Sequence, residues 1–152
     1  MIRVERHVAA PPEEVWAVLA DGWLYPLWVV GATSLRAVDE PWPAVGAQIH
    51  HSVGAWPAMV HDSSEVLEVD PGRSLLIRAG VWPAGAADVR MTLEPDSGGT
   101  LIVMEEKVAT GPMALVPKFA YGPLLKARNI ESTRRLACLV ENGAAHRSGS
   151  DG

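Results

Sequence analysis

The sequence predicts an α+β domain in which an antiparallel sheet of about seven strands packs against one long C-terminal helix. Apolar and polar residues alternate with a period of two over residues 2–8, and again in six runs between residues 34 and 109. Helical spacing replaces this alternation near the C-terminus. The length of 152 residues is typical of one domain. A sheet with one buried face and one helix to cover it is an α+β arrangement.

The N-terminal elements are predicted to be a strand at residues 2–8 and two short helices. The run Pro11-Pro12-Glu13-Glu14 starts the first helix, because proline suits the first turn and the acids lie at the positive end of the helix dipole. This helix is expected to end near Asp21-Gly22. A second short helix is expected over residues 23–28, with an interruption at Pro26.

Six further strands are predicted, at residues 34–40, 46–53, 63–70, 73–81, 87–95 and 100–109. Turn-forming residues separate them, and Asp70-Pro71-Gly72 and Asp96-Ser97-Gly98-Gly99 are short enough for hairpins. The alternation is clearest in the run 87–95, where Val89, Met91 and Leu93 share one face. We therefore expect one buried and one solvated face, as in antiparallel sheets.

The long helix is predicted to begin at Gly122-Pro123 and to end at an Asn142-Gly143 cap, after a separate helical turn within residues 112–121. Arg128 and the other charged residues of this helix are expected to point mostly outward. A disordered Ser/Gly tail is expected over residues 144–152. The residues expected to face the sheet lie on one helical stripe: Leu125, Asn129, Thr133, Leu136 and Val140.

Composition and charge argue against several classes of protein. With 13 basic and 18 acidic residues, the net charge of −5 gives no electrostatic reason to bind nucleic acid or an anionic membrane. The single cysteine, Cys138, excludes an internal disulfide and is expected to be a buried structural thiol. We see neither a signal peptide nor an apolar run of ~20 residues, so a cytoplasmic protein without membrane insertion is expected. Without nucleotide-binding, zinc-protease or serine-hydrolase motifs, we expect no cofactor and no metal.

Two polar strand residues are candidates for acid–base chemistry. His51 shares the parity of Ile49 and is expected to face the interior, whereas His50 faces water, so the two cannot chelate one metal. Glu106 is expected to face inward from the last strand. Imidazole titrates near neutral pH, and a carboxylate in an apolar interior needs a raised pKa or a charged partner. The alternatives are that His51 is a hydrogen-bonded interior residue and that Glu106 is paired to an arginine.

Two further polar positions stay open between structure and function. Asn129, on the inward stripe, must be hydrogen-bonded if buried, so it either ties the helix to the sheet or contacts a ligand. His61-Asp62 is interpreted as a solvated loop pair rather than a catalytic dyad.

The aromatic residues are unusual, with six Trp, two Tyr and one Phe. Three Trp precede Pro, which holds each of them in an extended conformation. Trp56 and Trp82 follow the third and fifth predicted strands, in the loops at the strand ends. Tyr25 and Trp28 lie in the second short helix, and Trp42 is expected to lie in a surface loop.

The order of these elements resembles the SRPBCC superfamily of START-related, helix-grip proteins, and most closely its polyketide cyclase/dehydrase-like members. The resemblance covers residues 1–143 and implies a helix-grip ligand-binding domain: a curved antiparallel sheet wrapped around the C-terminal helix, with an apolar cavity between them. The segments that match are residues 10–21, Tyr25-Pro26-Leu27-Trp28, Val45-Gly46-Ala47, residues 66–75, Gly99-Thr100 and residues 129–141.

This resemblance implies binding of a small hydrophobic molecule, which we expect to be aromatic, polyketide-like or lipid. Edge strands of such a sheet can be exposed, so either a monomer or a homodimer is expected. A cofactor-independent cyclase, dehydratase or hydrolase that uses His51 and Glu106 remains an alternative, with Asn129 holding an oxygen. A second alternative is a non-catalytic interaction module with a filled interior.

In a helix-grip fold, strand ends and their loops rim the cavity, so Trp56 and Trp82 are expected either at the rim, facing an aromatic ligand, or in the core. Tyr25 and Trp28 are expected to flank the cavity entrance. The expected ligand-binding residues are Tyr25, Trp28, Trp56, Trp82, Met91, Met104, Leu125 and Asn129.

Overall fold

The computed structural model describes residues 1–53, 60–81 and 85–143, and it confirms the α+β, helix-grip prediction. One curved antiparallel sheet has the order β1-β7-β6-β5-β4-β3-β2. Its strands are β1 (Ile2–Val8), β2 (Ala32–Val38), β3 (Gln48–Val53), β4 (Val60–Asp70), β5 (Ser74–Val81), β6 (Gly85–Asp96) and β7 (Gly99–Thr110). The helices are α1 (Pro12–Leu19), α2 (Tyr25–Trp28) and α3 (Lys118–Glu141), with 3₁₀ turns at Gly22–Leu24 and Pro112–Leu115.

One edge of the sheet joins strands that are distant in sequence, because β1 pairs with β7 along its whole length. The other strands pair with their neighbours in sequence, and register shifts interrupt the β2–β3, β4–β5 and β6–β7 ladders. Such irregularities bend and twist a sheet. Helix α3 lies against β1 and buries the predicted stripe from Asn129 to Val140, while Leu125 is half-buried.

Local sequence signals account for the short elements. Pro11 caps α1 in an extended conformation, Glu13 and Glu14 lie in its first turn, and the helix buries its apolar face. The β4–β5 and β6–β7 connections are the two predicted hairpin turns, with Gly72 at φ 79° and Gly98 at φ 84°. A positive φ is strained for residues with a side chain, which explains glycine at both positions.

Two predicted boundaries were wrong. Strand β4 begins at Val60, so His61 and Asp62 lie in a strand, in register with Ser52 and His51 of β3, and not in a loop. Helix α3 begins at Lys118 after Pro117 and contains Pro123, which the prediction had placed at its start. Proline within the first two turns removes one backbone hydrogen bond, and here it does not end the helix. The predicted C-terminal cap at Asn142, followed by Gly143 at φ 66°, is confirmed.

The predicted solvent exposure of two side chains was wrong. Trp42 is buried, and its indole Nε1 donates to the carbonyl oxygen of Leu19 at 3.2 Å, so this Trp anchors the turn before β3 to the core. Cys138 is exposed, because it lies on the outer side of α3 between the buried Leu136 and Val140. Within the described residues, no helix is both long and apolar enough to cross a membrane. The expected disordered tail lies outside the described residues.

Candidate functional site

Two small cavities lie between the sheet and its helices. The larger, about 80 Å³, is bordered by β6, β7, the second 3₁₀ turn and α3, and its walls include Ala87, Glu106, Val108, Met113, Leu125 and Arg128. The smaller, about 40 Å³, is lined by residues that include Tyr25, Trp28, Ile77, Met104, Arg128 and Ser132. Arg128 lines both cavities.

Three polar residues form a cluster beside the larger cavity; Glu106 and Arg128 line that cavity, whereas Asn129 lines neither cavity. The Glu106 carboxylate accepts from the guanidinium Nη2 of Arg128 at 2.6 Å through one oxygen, and from the amide Nδ2 of Asn129 at 2.6 Å through the other. Glu106 and Asn129 are buried. This cluster ties β7 to α3, as one of the two predictions for Asn129 proposed.

The same cluster presents two polar atoms without a protein partner among the described residues: Nε of Arg128 and Oδ1 of Asn129. The orientation of the Asn129 amide follows from chemistry. A carboxylate only accepts hydrogen bonds, so the NH₂ group must face Glu106 and Oδ1 must face away from it. Buried groups without a partner are rare in proteins, so each one needs an explanation.

A second polar network surrounds His51 on the inner face of β3. The Nε2 atom of His51 lies 3.0 Å from Ser64 Oγ, and Ser64 Oγ lies 2.9 Å from the Tyr25 hydroxyl. The His51 and Tyr25 rings stack with 5.9 Å between their centroids. Burial lowers the pKa of His51, so its imidazole is favoured in the neutral form. Burial also raises the pKa of the Tyr25 phenol. Among the described residues, His51 Nδ1 has no partner.

The predicted inward parity of the histidines and glutamates is confirmed. His51 and Glu106 are buried, whereas His50 points outward to Asp39, at 3.3 Å between Nε2 and Oδ1, and Glu105 is partly exposed. The two candidate catalytic groups nevertheless belong to separate networks, and His51 lines neither of the two cavities. Three strands separate β3 from β7, which is roughly 19 Å along the sheet at about 4.8 Å per strand.

The predicted ligand-binding residues are divided between cavity walls and core. Tyr25, Trp28 and Met104 line the smaller cavity as buried interior residues, and Leu125 lines the larger. Met91 is buried in the core and lines neither cavity. Trp56 and Trp82 lie outside the described residues, so their predicted place at the cavity rim remains a prediction.

Sequence reasoning missed Arg128, Ser64 and Ser132. Arg128 was expected to point mostly outward, yet it pairs with Glu106. The sequence did contain a signal for this pair, because a glutamate that faces the interior needs a cation and Arg128 is next to the inward-facing Asn129. Ser64 shares the strand parity of the buried Val66, so period-two counting alone would have placed it inside. Within the described residues, no three His, Cys, Asp or Glu side chains are grouped to hold a metal ion.

The curved sheet around α3, with buried polar groups beside interior cavities, defines a START-related, helix-grip protein. A family described as "Polyketide cyclase / dehydrase and lipid transport" matches residues 1–141, so the chain belongs to that family. No curated protein sequence matches it.

Solved structures share the fold. Protein MLL2253 from Mesorhizobium loti is 26% identical with a TM-score of 0.67, over 93% of this chain and 96% of that one. DynU16, from the dynemicin biosynthetic locus, is also 26% identical with a TM-score of 0.67, over 93% of this chain and 47% of its own. The di-domain ARO/CYC StfQ from the steffimycin biosynthetic pathway is 12% identical with a TM-score of 0.72, over 94% of this chain and 51% of its own. At that identity the likeness shows the fold alone.

Proposed function

We propose that the protein binds a small hydrophobic, aromatic or polyketide-like molecule in the interior between the sheet and α3, with a polar group of the ligand at the Glu106–Arg128–Asn129 cluster. The observation that carries this proposal is the pair of buried atoms without a partner among the described residues, Arg128 Nε and Asn129 Oδ1, in a cluster of which Glu106 and Arg128 line the larger cavity. Membership of a family of polyketide cyclases and lipid-transport proteins supports it.

The two free atoms specify complementary chemistry on the ligand. Arg128 Nε is a donor, so it pairs with a carbonyl, carboxylate or phenolate oxygen. Asn129 Oδ1 is an acceptor, so it pairs with a hydroxyl or N–H group. A molecule that carries a hydroxyl beside a carbonyl or carboxylate on an aromatic ring satisfies both. The other walls, Ala87, Val108 and Met113, offer apolar contacts to the ring.

The size of the cavity limits which ligands enter without rearrangement. Ligand pockets for drug-sized molecules are about 300–1,000 Å³, whereas the larger cavity here is about 80 Å³. We therefore expect a single ring to be the largest probe that binds without movement, and a polycyclic ligand to require displacement of the second 3₁₀ turn or of Arg128. Met113 is the only wall residue of that turn, and it is half-exposed.

Binding is tested with salicylate, which carries a carboxylate beside a hydroxyl, and with benzoate, which lacks the hydroxyl. We expect both to bind in calorimetric titrations and salicylate to bind more tightly, because only salicylate pairs with Asn129 Oδ1. Ala87→Leu adds three carbon atoms to the cavity wall and is expected to abolish binding, whereas the control Ala44→Leu, at an exposed turn, should not. Equal affinities of the two probes, or normal binding by Ala87→Leu, would contradict the proposed site.

Two further experiments extend this test to the natural ligand and to the cavity rim. Native mass spectrometry of protein purified from its own host is expected to show a retained small molecule. Trp56→Ala and Trp82→Ala are expected to weaken the ligand-induced thermal stabilisation, and unchanged shifts in both variants would count against a place at the rim. A cytoplasmic location and a monomeric or homodimeric state remain predictions.

Acid–base catalysis is the second candidate, because one nitrogen of the neutral imidazole of His51 is free. Glu106 is a weaker candidate for proton transfer, since both of its oxygens accept hydrogen bonds from the protein. A catalytic His51 must be reached by the ligand. Nitrogen NMR shifts of its imidazole should then change on saturation with ligand, and unchanged shifts would favour binding without catalysis.

A further inference from the structure

The cationic residues of the chain are strongly segregated. Residues 107–130 contain all three lysines, Lys107, Lys118 and Lys126, together with Arg128, and contain no acidic residue, which gives a net charge of +4. The remaining chain has nine basic and 18 acidic residues, a net charge of −9. The overall charge of −5 therefore conceals a local charge of opposite sign.

Large apolar side chains are exposed in the same part of the chain. Leu115 is 88% exposed, Phe119 is 83% exposed and Leu124 is 78% exposed. Nine of the ten residues from 111 to 120 are exposed, and the exception is Met113. We call residues 112–126 the cationic apolar segment; it comprises the second 3₁₀ turn and the first part of α3. Contiguous exposed apolar surface on a folded domain marks an interaction site.

The lysines of this segment are available to a partner. Among the described residues, none of the chain's lysines forms an ion pair, and Lys118 Nζ donates only to the carbonyl oxygen of Met1 at 2.8 Å. Arg128, in contrast, is paired with Glu106 and faces the cavities. The free cations are therefore Lys118 and Lys126, which flank Phe119 and Leu124 in the sequence.

We propose that the cationic apolar segment docks the protein on an anionic lipid surface. Lysines attract anionic lipid headgroups, and exposed Leu and Phe side chains enter the interfacial region of the bilayer. The exposure of consecutive residues makes the segment a projecting surface, which suits insertion among lipids better than a groove would. A second copy of the chain is disfavoured as the occupant, because a two-fold contact would bring the same lysines of both copies together.

Docking would place a cavity wall beside the bilayer, because Met113 belongs both to this segment and to the larger cavity. That consequence rests on the proposed ligand-binding function, whereas the docking itself does not. The two are separable by experiment, since vesicle binding requires no cavity ligand and salicylate binding requires no membrane.

The experiment is vesicle flotation of the whole chain. Vesicles of phosphatidylcholine alone are compared with an equimolar mixture of phosphatidylcholine and phosphatidylserine. We expect binding only to the mixture, and loss of binding at 1 M salt, where the Debye length falls to about 3 Å. Lys126→Glu and the double variant Phe119→Ser/Leu124→Ser should each weaken binding at least about fivefold. Both should still bind salicylate as the unaltered chain does.

The controls make the same chemical changes at exposed positions at the other end of the sheet. Arg73→Glu in the β4–β5 turn reverses one charge, and Val45→Ser in the turn before β3 removes one exposed apolar side chain. Both should retain full binding. The proposal is overturned by failure to bind the mixed vesicles, by equal binding to both compositions, or by equal losses in the controls. It is also overturned if sedimentation shows a dimer that Phe119→Ser dissociates, because the segment then covers a second copy.

Discussion

Replacing Arg128 by methionine removes the cation from a buried ion pair and keeps most of the aliphatic volume of the side chain. In the unaltered chain, the Glu106 carboxylate accepts from Arg128 Nη2 and from Asn129 Nδ2, each at 2.6 Å. In Arg128→Met, the amide of Asn129 is the only one of these donors that remains. The carboxylate side chain is 1% exposed, so its hydrogen bonds depend on these two donors. We therefore expect a large loss of stability.

The size of this loss follows from the burial of the two partners. Removing one member of a buried ion pair costs about 3–5 kcal/mol, because it leaves an uncompensated buried charge. The Arg128 side chain is 29% exposed, so solvent already screens part of the pair, and the lower end, about 3 kcal/mol, is expected. For a domain of this length, each kcal/mol lowers Tm by about 2–4 °C, so Tm should fall by roughly 6–12 °C.

Urea denaturation followed by circular dichroism measures this change. The double variant Arg128→Met/Glu106→Leu removes both charges and should recover most of the loss, with a coupling energy above about 1.5 kcal/mol. Arg134→Met is the matched control, because it breaks an exposed pair with Glu131 on the same helix and should leave the midpoint unchanged. A loss below about 1 kcal/mol in Arg128→Met, or strict additivity in the double variant, would refute a buried, energetically coupled pair.

Three smaller predictions concern other parts of the chain. Burial lowers the pKa of His51 in the folded chain, whereas in the unfolded chain this pKa is about 6.5. Below pH 6.5 the unfolded chain therefore binds more protons than the folded chain, and stability should fall with falling pH more steeply than in His51→Gln. Parallel stability curves would contradict this. Trp42→Phe should cost about 1–3 kcal/mol in urea denaturation, because it leaves a buried carbonyl of α1 without its donor, and an unchanged midpoint would argue against that hydrogen bond. Hydrogen bonds from Arg134 and Arg135 lower the pKa of Glu131 to about 2. This pKa should rise in the Arg134→Ala/Arg135→Ala variant, as measured by a carbon NMR titration. A midpoint that stays near 2 would exclude these arginines as the cause.

The strands were predictable because a sheet with one buried face imposes a period of two on its residues. The inward directions of His51 and Glu106 followed from that period without any knowledge of the tertiary structure. The start of α3 was not predictable in the same way, because Pro123 is a local signal against a helix and tertiary packing overrides it. Helix α3 lies against β1, and the contacts between them are separated by more than a hundred residues in sequence.

The errors at Trp42 and Arg128 have a common physical origin. Each side chain has a large apolar part and a polar tip, so its type alone does not decide between core and surface. What decides is one partner at a distance in sequence: the carbonyl oxygen of Leu19 for Trp42, and the carboxylate of Glu106 for Arg128. Periodicity predicts which face a residue occupies, but it contains no information on such pairings.

In the proposed ligand site, Arg128 belongs both to a stabilising ion pair and to the walls of the two cavities. Its side chain lines a cavity of about 80 Å³ and one of about 40 Å³, and its guanidinium is paired with Glu106. A ligand that offers Arg128 a carboxylate would compete with Glu106 for the same cation. In the proposed site, a ligand that displaced Glu106 would leave that carboxylate without its cation, which is the cost measured by Arg128→Met. A ligand that accepts only from Arg128 Nε would leave the ion pair intact, so we expect the pair to select against anions that must displace Glu106.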